Sequence, residues 1–544
     1  MKLRIQMMRK SMLVACFFCC IASSLMAQKA PKWMKKAKNA VVSITTYGSN
    51  DQVLAKGNGF FVSETGEVLS AWSLFKHATR ATVSDIKGES MPVDRIIGAD
   101  ELYDVIRFSV KTEKETAYLP LASSVAMNDK AYLLHPETNK EHPFYQGTIT
   151  EITPLKQGYK YYKFDIPLHG TEANMPILSE SGAVIGLAQT DASGAKNTSF
   201  AVSAAYAKSL SITSADVFSS TYTSIAIKKA WSTDMEQAQV MLFLLANKQN
   251  EQTYFDTLND FIQTFPTSAV GYNGRAVHYA NKAANTTDAA EKATFLEKAT
   301  ADIDLSIEHA PKKSEAFFDK AKLIYDYAQI DTACKDARWR MDAAQTAIEE
   351  ALSLEPLPVY YQTAGNIFFL QKKYTEAYDA YMKVCESDLA TAEMFYLAAK
   401  SKEQMRGTNI ADIITLLDRA IGTYGQVLTS AATPYLMERY QWKVRLQQFD
   451  AALVDLATVF RLNPTDIQYP LEEASLLIRI KRYDDAILCA DKALELDPND
   501  AASFRLKGFA YIQLKKQKEA CAALKRAVEL GDDIAAKLQK KHCK

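Results

Sequence analysis

The chain has 544 residues, of which 48% are apolar and 24% are charged. This length exceeds what one hydrophobic core fills, so two or more domains are expected, and the composition is that of a folded globular protein. The 64 basic and 64 acidic side chains give a formal net charge of zero. Because no basic excess is available to hold a phosphate backbone, nucleic acid is not expected as a partner.

Residues 1–27 have the pattern of a targeting segment. Four basic residues precede an apolar stretch from Met12 to Ala22, and Ala27 is a small residue just before a cleavage point at Gln28. This order predicts a secretory signal peptide and export across the inner membrane, with the periplasm as the expected location. The apolar stretch is too short to span a bilayer comfortably, and no later segment has the pattern of a transmembrane helix.

Lipid anchoring at Cys16 is the alternative to simple secretion. The segment Leu13-Val14-Ala15-Cys16 resembles the cleavage box of bacterial lipoproteins. The apolar stretch nevertheless continues past this cysteine through Phe17, Phe18 and Ile21, which favours the ordinary signal peptide.

Five cysteines remain after the signal peptide, and their spacing matches neither a zinc site nor a disulfide framework. No metal or other cofactor is therefore expected. Cys521 and Cys543 flank a turn at Gly531-Asp532 with similar numbers of residues on either side. An antiparallel helical hairpin would bring them level, and an oxidising periplasm permits a disulfide between them. Two free thiols at an ordinary terminus are the alternative.

From about Lys32 to Leu210 the apolar residues alternate with a period near two, and turn residues separate the runs. The candidate strands are residues 40–44, 59–62, 105–110, 131–134, 147–152, 161–166 and 184–188. Many short strands at this spacing predict an all-β barrel or a sandwich pair, and a closed barrel leaves no exposed strand edge. We assign residues 32–215 to this β domain.

Residues 225–544 have an apolar period of 3.6, and strand patterns end there. The segments Leu462-Asn463-Pro464 and Leu496-Asp497-Pro498 lie 34 residues apart. The small residues that recur in phase are Ala452, Ala486 and Ala520, with Gly365, Ala474 and Gly508 in first helices. This pattern resembles the tetratricopeptide repeat. It predicts an α-solenoid of about eight helical hairpins and a final capping helix.

The earlier repeats are longer than the later ones. Pro266, Pro311 and Pro356 each follow a predicted helix and are spaced by 45 residues. The excess over 34 is close to three helical turns, so added helix would preserve the buried face. Asp288 and Asp331 are predicted to cap unusually long second helices.

Four motifs in the first region resemble those of one protease family. They are Gly57-Asn58-Gly59-Phe60-Phe61-Val62, Gly66-Glu67-Val68-Leu69-Ser70, Gly98-Ala99-Asp100-Glu101-Leu102-Tyr103-Asp104-Val105, and Pro176-Ile177-Leu178 followed by Gly182-Ala183-Val184-Ile185-Gly186-Leu187. Over about 180 residues the region is similar to the trypsin-like serine proteases, nearest the bacterial periplasmic heat-shock branch. The resemblance implies a double β-barrel.

The same resemblance gives the counterparts of the catalytic triad. Ser73 stands where the family has its histidine, Asp104 takes the aspartate's place, and Ala173 replaces the nucleophilic serine. The serine mechanism needs a hydroxyl nucleophile and an imidazole to accept its proton. Neither is present at these positions, so no intact catalytic set is predicted.

The loop before Pro176 also departs from the family. Glu172, Asn174 and Met175 carry side chains where the family's small residues let backbone N–H groups turn toward an oxyanion. The residues nearby that carry usable chemistry are His77, His135, His169, Ser179 and Ser181. Each is assigned an ordinary surface or turn role.

In the solenoid, Asn366 and Phe369 of one repeat and Arg505 and Phe509 of the last have a spacing suited to the concave groove. Such grooves take extended or helical peptides, so these four residues are the candidate protein-binding positions. The leading hypothesis is a secreted, non-catalytic adaptor that binds proteins or peptides. The alternatives are an active trypsin-like serine endopeptidase, and a scaffold in an envelope assembly whose barrel is only structural.

Overall fold

The computed structural model describes residues 31–134, 144–190 and 197–543. The predicted signal peptide, with Cys16, lies outside the described residues, and so does His135. The chain divides into two compact units, Met1–Phe265 and Pro266–Lys544. None of the helices within the described ranges is both long enough and apolar enough to cross a membrane.

The described part of the first unit contains two closed barrels of six antiparallel strands each. In barrel 1 the order is β1-β2-β3-β6-β5-β4, with β1 Val41–Tyr47, β2 Val53–Phe61, β3 Glu67–Ser70, β4 Arg80–Ser84, β5 Ser90–Asp100 and β6 Val105–Val110. In barrel 2 the order is β10-β11-β12-β9-β8-β7, with β7 Lys130–Leu134, β8 Phe144–Pro154, β9 Lys160–Phe164, β10 Pro176–Ser179, β11 Val184–Thr190 and β12 Ser199–Ser203. The predicted double barrel is confirmed.

The alternation of side chains explains why these segments form barrels. In β1 the side chains of Val42, Ile44 and Thr46 are buried, whereas their neighbours are more exposed. Inward-facing residues of each strand fill the barrel interior, as a pleated strand with period two requires. At Gly186 an added Cβ would lie 2.4 Å from the Val202 carbonyl oxygen, so β11 and β12 approach too closely there for any side chain.

Helices follow the barrels. The short helices of the first unit are Met34–Ala40, Ala204–Ser209 and Ser220–Thr223. The later ones are Met235–Ala246, Glu251–Thr264, Ala269–Asn285, Ala289–His309, Lys313–Ile330, Met341–Leu354, Pro358–Leu370, Tyr374–Cys385, Ala392–Gln404, Ile410–Gly422, Thr433–Arg445, Phe449–Leu462, Gln468–Arg479, Tyr483–Leu496, Ala501–Gln513, Gln517–Glu529 and Asp533–His542. Among the described residues these make eight hairpins and a final helix, as the repeat pattern predicted.

The boundary between the two compact units falls between Phe265 and Pro266. The first helix pair, Met235–Ala246 and Glu251–Thr264, belongs to the unit that contains the barrels. The stretch before it docks on barrel 1, because Tyr222 and Ile225 are buried in the core of that barrel. Lys229 also forms a parallel β-bridge with Ile96 of β5. Apolar residues scattered through a serine- and threonine-rich stretch therefore dock it on the barrel.

The two long repeats accommodate their extra residues differently. Asp288 caps the 21-residue helix Ala289–His309 and accepts hydrogen bonds from the amides of Ala290 and Glu291, as predicted. The prediction for Asp331 is wrong, because this residue ends the helix Lys313–Ile330 and starts none. Its carboxylate accepts hydrogen bonds from Lys292 Nζ at 2.7 Å and from the Tyr327 hydroxyl at 3.2 Å.

The residues after Asp331 form a loop with a single 3₁₀ turn, Ala337–Trp339, before the next helix begins at Met341. The Trp339 side chain is fully buried, and its indole N–H donates to Thr300 Oγ1 at 3.0 Å. The Trp339 side chain therefore holds the inserted loop against the solenoid core. The extra residues of this repeat form a loop rather than added helical turns.

Small residues let the helices of later repeats pack closely. An added Cβ at Gly365 would lie 2.6 Å from the ring of Tyr381, and one at Gly508 would lie 2.7 Å from Leu524. Each contact joins the two helices of one hairpin. The small residues that recur in the sequence therefore mark the closest approach between the paired helices.

The structure joins Cys521 and Cys543 by a disulfide, with their Cα atoms 5.6 Å apart. The bond ties the final helix, Asp533–His542, to the helix Gln517–Glu529. Cys334, Cys385 and Cys489 are free and buried.

We expect Cys521→Ser to destabilise the terminal hairpin by about 3 kcal/mol, because the open chain regains the entropy that a loop of about 22 residues loses on closure. Hydrogen exchange of the amides in Asp533–His542 should accelerate in the variant and in the reduced protein alike. Cys489→Ser is the matched control and should leave these amides unaffected. Five reactive thiols, rather than three, in the unfolded but unreduced mature protein would contradict the pairing.

Candidate functional site

A cleft of about 610 Å³ opens between the two barrels of the first unit. It is lined by Ser73, Leu102, Tyr103, Asp104, Thr153, Pro154, Leu155, Tyr161, Ala173, Asn174, Gln189 and Thr190. The three residues that the sequence aligned with a catalytic triad, Ser73, Asp104 and Ala173, therefore share one cleft, although they are far apart along the chain.

Ser73 and Asp104 are bound directly to each other. The Ser73 amide donates to Asp104 Oδ1 at 2.6 Å, and the Ser73 hydroxyl donates to Oδ2 at 2.9 Å. Ser73 lies in the 3₁₀ turn Trp72–Phe75, which Trp72 and Phe75 anchor in the core of barrel 1. Both carboxylate oxygens of Asp104 thus have a partner on Ser73.

Asp104 reaches this position through an unusual backbone conformation. Its φ angle is 49°, in the left-handed region, at the tight turn that joins β5 to β6. Aspartate tolerates this conformation better than most residues. The turn directs the carboxylate to the end of β3, where the turn with Ser73 begins.

Ala173 lies on the barrel 2 side of the cleft. It follows the 3₁₀ turn Gly170–Glu172, and its carbonyl oxygen accepts a hydrogen bond from Asn58 Nδ2 at 3.1 Å. Its side chain is a methyl group, so the cleft has no hydroxyl at this position.

The backbone around Ala173 is held by bonds within the domain. The amide of Glu172 donates to the His169 carbonyl at 3.0 Å, and that of Asn174 donates to the Ala188 carbonyl at 2.8 Å. The amide of Met175 donates to the Glu172 carbonyl at 3.2 Å. These three N–H groups therefore have carbonyl partners and are not directed at an oxygen in the cleft.

The side chains of this loop are built into barrel 2 rather than into the cleft. Glu172 is fully buried, and its carboxylate accepts a hydrogen bond from the His169 amide at 2.8 Å. Met175 is 1% exposed and belongs to the barrel 2 core. Both side chains therefore contribute to the packing of barrel 2.

Of the histidines that the structure describes, none lines the cleft. His77 is exposed, and its amide donates to the Ser224 carbonyl at 2.7 Å. The hydroxyls of Ser179 and Ser181 are 2.9 Å apart in the turn that precedes β11, and neither residue lines the cleft. No described imidazole is thus placed to accept a proton there.

Comparison with known families agrees with the two-barrel fold. Residues 57–187 match the model of the trypsin-like peptidase domain, and residues 471–500 and 505–530 match that of the tetratricopeptide repeat. The chain carries a trypsin-like domain followed by tetratricopeptide repeats. No curated protein gives a significant match to the chain.

A hydrogen-bonded bridge across the cleft of the trypsin-like domain was not anticipated from the sequence. Gln189 Nε2 donates to the Tyr103 carbonyl at 2.7 Å, and the Tyr161 hydroxyl donates to Gln189 Oε1 at 2.9 Å. Gln189 belongs to barrel 2 and Tyr103 lies in the β5–β6 turn of barrel 1, so the bridge joins the two sides of the cleft. The change from apolar residues to Gln189 and Thr190 at the end of β11 was a weak sequence signal for it.

Asp100 joins the two barrels next to the cleft. Burial raises its pKa, but hydrogen bonds from Tyr206 and Lys156 outweigh that effect and hold the pKa below its ordinary value. Lys156 Nζ lies 3.0 Å from the Asp100 carboxylate. Leu102, two residues later, is 75% exposed at the rim, so one edge of the cleft is apolar and accessible.

The four candidate positions in the tetratricopeptide region are only partly exposed. Asn366 accepts a hydrogen bond from the Tyr381 hydroxyl at 2.8 Å, and the Phe369 ring packs edge-on against Tyr374 at 5.5 Å. Arg505 forms an ion pair with Asp532 at 2.7 Å. Phe509 lies in the same helix as Arg505. Three of the four thus already contribute to contacts inside the solenoid.

No group of three or more histidine, cysteine, aspartate or glutamate side chains in the described ranges is arranged to hold a metal ion.

Proposed function

We propose that the protein is an exported, non-catalytic adaptor that binds protein segments. The tetratricopeptide region binds one partner, and the cleft of the trypsin-like domain holds an extended segment without cleaving it. The observation that carries the proposal is the pairing of the Ser73 hydroxyl with Asp104, at 2.9 Å, in a cleft where Ala173 offers only a methyl group.

The chemistry of that arrangement supports the absence of peptide hydrolysis. A serine protease needs a base that takes a proton from the attacking hydroxyl and later returns it to the leaving group. The Ser73 hydroxyl is far too weak a base for this role near neutral pH, and Ala173 cannot form an acyl intermediate. The amides of Glu172, Asn174 and Met175 already have carbonyl partners, so these three donors are not available to an oxyanion.

Protein binding is supported from both ends of the chain. Tetratricopeptide repeats stack their first helices into a groove that takes peptide segments. The cleft of the trypsin-like domain combines the exposed side chain of Leu102 with polar groups such as Thr153 and Thr190. An apolar rim beside hydrogen-bonding groups suits an extended peptide, in which main-chain and side-chain groups alternate.

Export is supported by the order of basic, apolar and small residues in residues 1–27. A disulfide between Cys521 and Cys543 fits an oxidising compartment such as the periplasm. Simple secretion is proposed over a lipid anchor at Cys16 because the apolar stretch continues past that residue.

The mature protein is expected to leave casein intact on prolonged incubation and to take no label from a fluorophosphonate probe. Ser73→His together with Ala173→Ser is expected to restore little activity, because Glu172 and Met175 remain buried in barrel 2 and the loop keeps its present bonds.

Trypsin serves as the positive control for both measurements. Labelling that is lost in Ser179→Ala or Ser181→Ala would replace the adaptor proposal with an active serine endopeptidase. Binding is tested separately, by measuring whether an immobilised extended peptide retains the intact protein and whether Leu102→Asp weakens that retention. Equal retention of both proteins would remove the cleft from the proposal.

A further inference from the structure

A second cavity, of about 450 Å³, lies in the first unit and shares no residue with the cleft. Its walls are formed by residues 212–231, here called the docked segment, and by the helix pair Met235–Ala246 and Glu251–Thr264. Its lining residues from the segment lie in the ranges 212–223 and 226–231, and those from the helices lie in the ranges 241–249 and 253–260. The volume falls within the range of small-molecule sites in proteins.

Most of the cavity wall is apolar. Ile212, Val217 and Ile227 line it from the docked segment, and Met241 and Leu245 line it from the first helix. Ile212, Ile227 and Met241 also belong to the core of barrel 1. The wall is therefore held rigidly by the barrel, which favours a preformed site.

One acidic group of the wall is fully engaged. Asp260 is 6% exposed and accepts two hydrogen bonds from Arg95, at 2.8 and 2.6 Å. It also accepts hydrogen bonds from Lys228 Nζ at 2.5 Å and from the Trp231 indole at 2.8 Å. Its negative charge is thus balanced within the wall and leaves none for a further cation.

Lys229 is the unbalanced charge of this cavity. Its ammonium group donates to the carbonyl oxygen of Ile225 and forms no ion pair in the part of the chain that the structure describes. Asp256, on the exposed side of the wall, accepts a hydrogen bond from Gln252 instead. An ammonium group beside apolar walls and without a counter-ion is an unfavourable arrangement, which an anion entering the cavity would relieve.

We propose that this cavity binds a small organic anion with an apolar body, of which a medium-chain carboxylate is the simplest example. Lys229 holds the carboxylate, and the chain lies along Ile212, Val217 and Leu245. The site is separate from the cleft, so it stands whether or not the trypsin-like domain hydrolyses peptides.

The charge state of the wall sets the pH range of binding. Burial lowers the pKa of Lys229 to about 8 and raises that of Tyr222 to about 12. Burial raises the pKa of Asp260, but Arg95 and Lys228 outweigh that effect and keep it below its ordinary value. Near pH 7 Lys229 is therefore charged, Tyr222 is neutral and Asp260 stays ionised. Binding should weaken as the pH rises above about 8, because the ammonium loses its proton.

The test is calorimetric titration of the full mature protein with octanoate and with octanamide, which has the same chain and no charge. Octanoate is expected to bind one site at least tenfold more tightly than octanamide at pH 7, and this preference should disappear by pH 9.5. Lys229→Met should lower the octanoate affinity to that of octanamide. Lys87→Met is the matched control, because Lys87 lies in an exposed turn and does not line the cavity. This substitution should change neither affinity.

A cavity-filling variant distinguishes binding in this cavity from binding elsewhere on the protein. Thr253 lines the cavity from an exposed position, so Thr253→Trp should occupy the space without disturbing the core and should abolish the binding of both ligands. Absence of octanoate binding, equal affinity for the two ligands, or unchanged octanoate affinity in Lys229→Met would each overturn the proposal. Loss of binding in Lys229→Met cannot be attributed to unfolding if that variant melts at or above the wild-type temperature.

Discussion

Asp260→Ala is expected to lower the free energy of unfolding of the first unit by about 3–5 kcal/mol. The carboxylate is 6% exposed and binds Arg95 through two hydrogen bonds, as well as Lys228 and Trp231. Removing it leaves the partly buried Arg95 guanidinium with only the longer contact to Asp94, at 3.4 Å, as an ion pair, which costs more than the loss of an exposed ion pair. Urea denaturation of the mature protein, followed by tryptophan fluorescence, measures the change.

The same substitution should also release the first helix pair. Asp260 lies in the helix Glu251–Thr264, whereas Arg95 lies in β5 of barrel 1, so their ion pair ties the helix to the barrel. Amides of this helix should exchange faster in Asp260→Ala than amides of β5. Asp256→Ala, one turn earlier on the exposed side, is the matched control and should cost less than about 0.5 kcal/mol. Similar losses in the two variants would contradict the anchoring role of Asp260.

Lys229→Met is expected to stabilise the first unit by as much as about 3.5 kcal/mol at pH 7. Burial lowers the pKa of Lys229 from an ordinary value of 10.5 to about 8, and each pKa unit corresponds to about 1.4 kcal/mol. Between these two values the unfolded chain binds more protons than the folded one, so the stability of the wild-type protein rises with pH across this window. The variant lacks that rise, so its advantage is complete below about pH 8 and vanishes near pH 10.5.

Urea denaturation at pH 7, 9 and 10.5 measures this dependence in the wild-type protein, in Lys229→Met and in Lys87→Met. Lys87 is exposed in the turn between β4 and β5, so its substitution should change the stability little at any of the three pH values. A loss of stability in Lys229→Met at pH 7, or a gain that does not depend on pH, would show that the ammonium is well solvated in the folded protein.

The strands and helices were predictable from the sequence because their signals are local. The alternation in β1 and the in-phase small residues Gly365 and Gly508 each reflect which face of one element is buried. Motifs that carry a family resemblance are local in the same sense, and they aligned Ser73, Asp104 and Ala173 with one site. The structure adds that Ser73 and Asp104 form a hydrogen bond with each other. It also shows that Asn366, Phe369 and Arg505 contact other residues of the solenoid.

The packing of the first helix pair on barrel 1 could not be predicted from local sequence patterns. The sequence by itself determined the β region and the repeat of helical hairpins, since each depends on residue period along short segments, and the family resemblance implied the double barrel. Only the tertiary structure decided that the first helix pair belongs with the barrels, because its anchor joins Arg95 to a carboxylate 165 positions away. The cavity around Lys229 could not be predicted for the same reason. Its walls come from segments that contact each other only in the folded protein, and residue periodicity carries no information about the space between them.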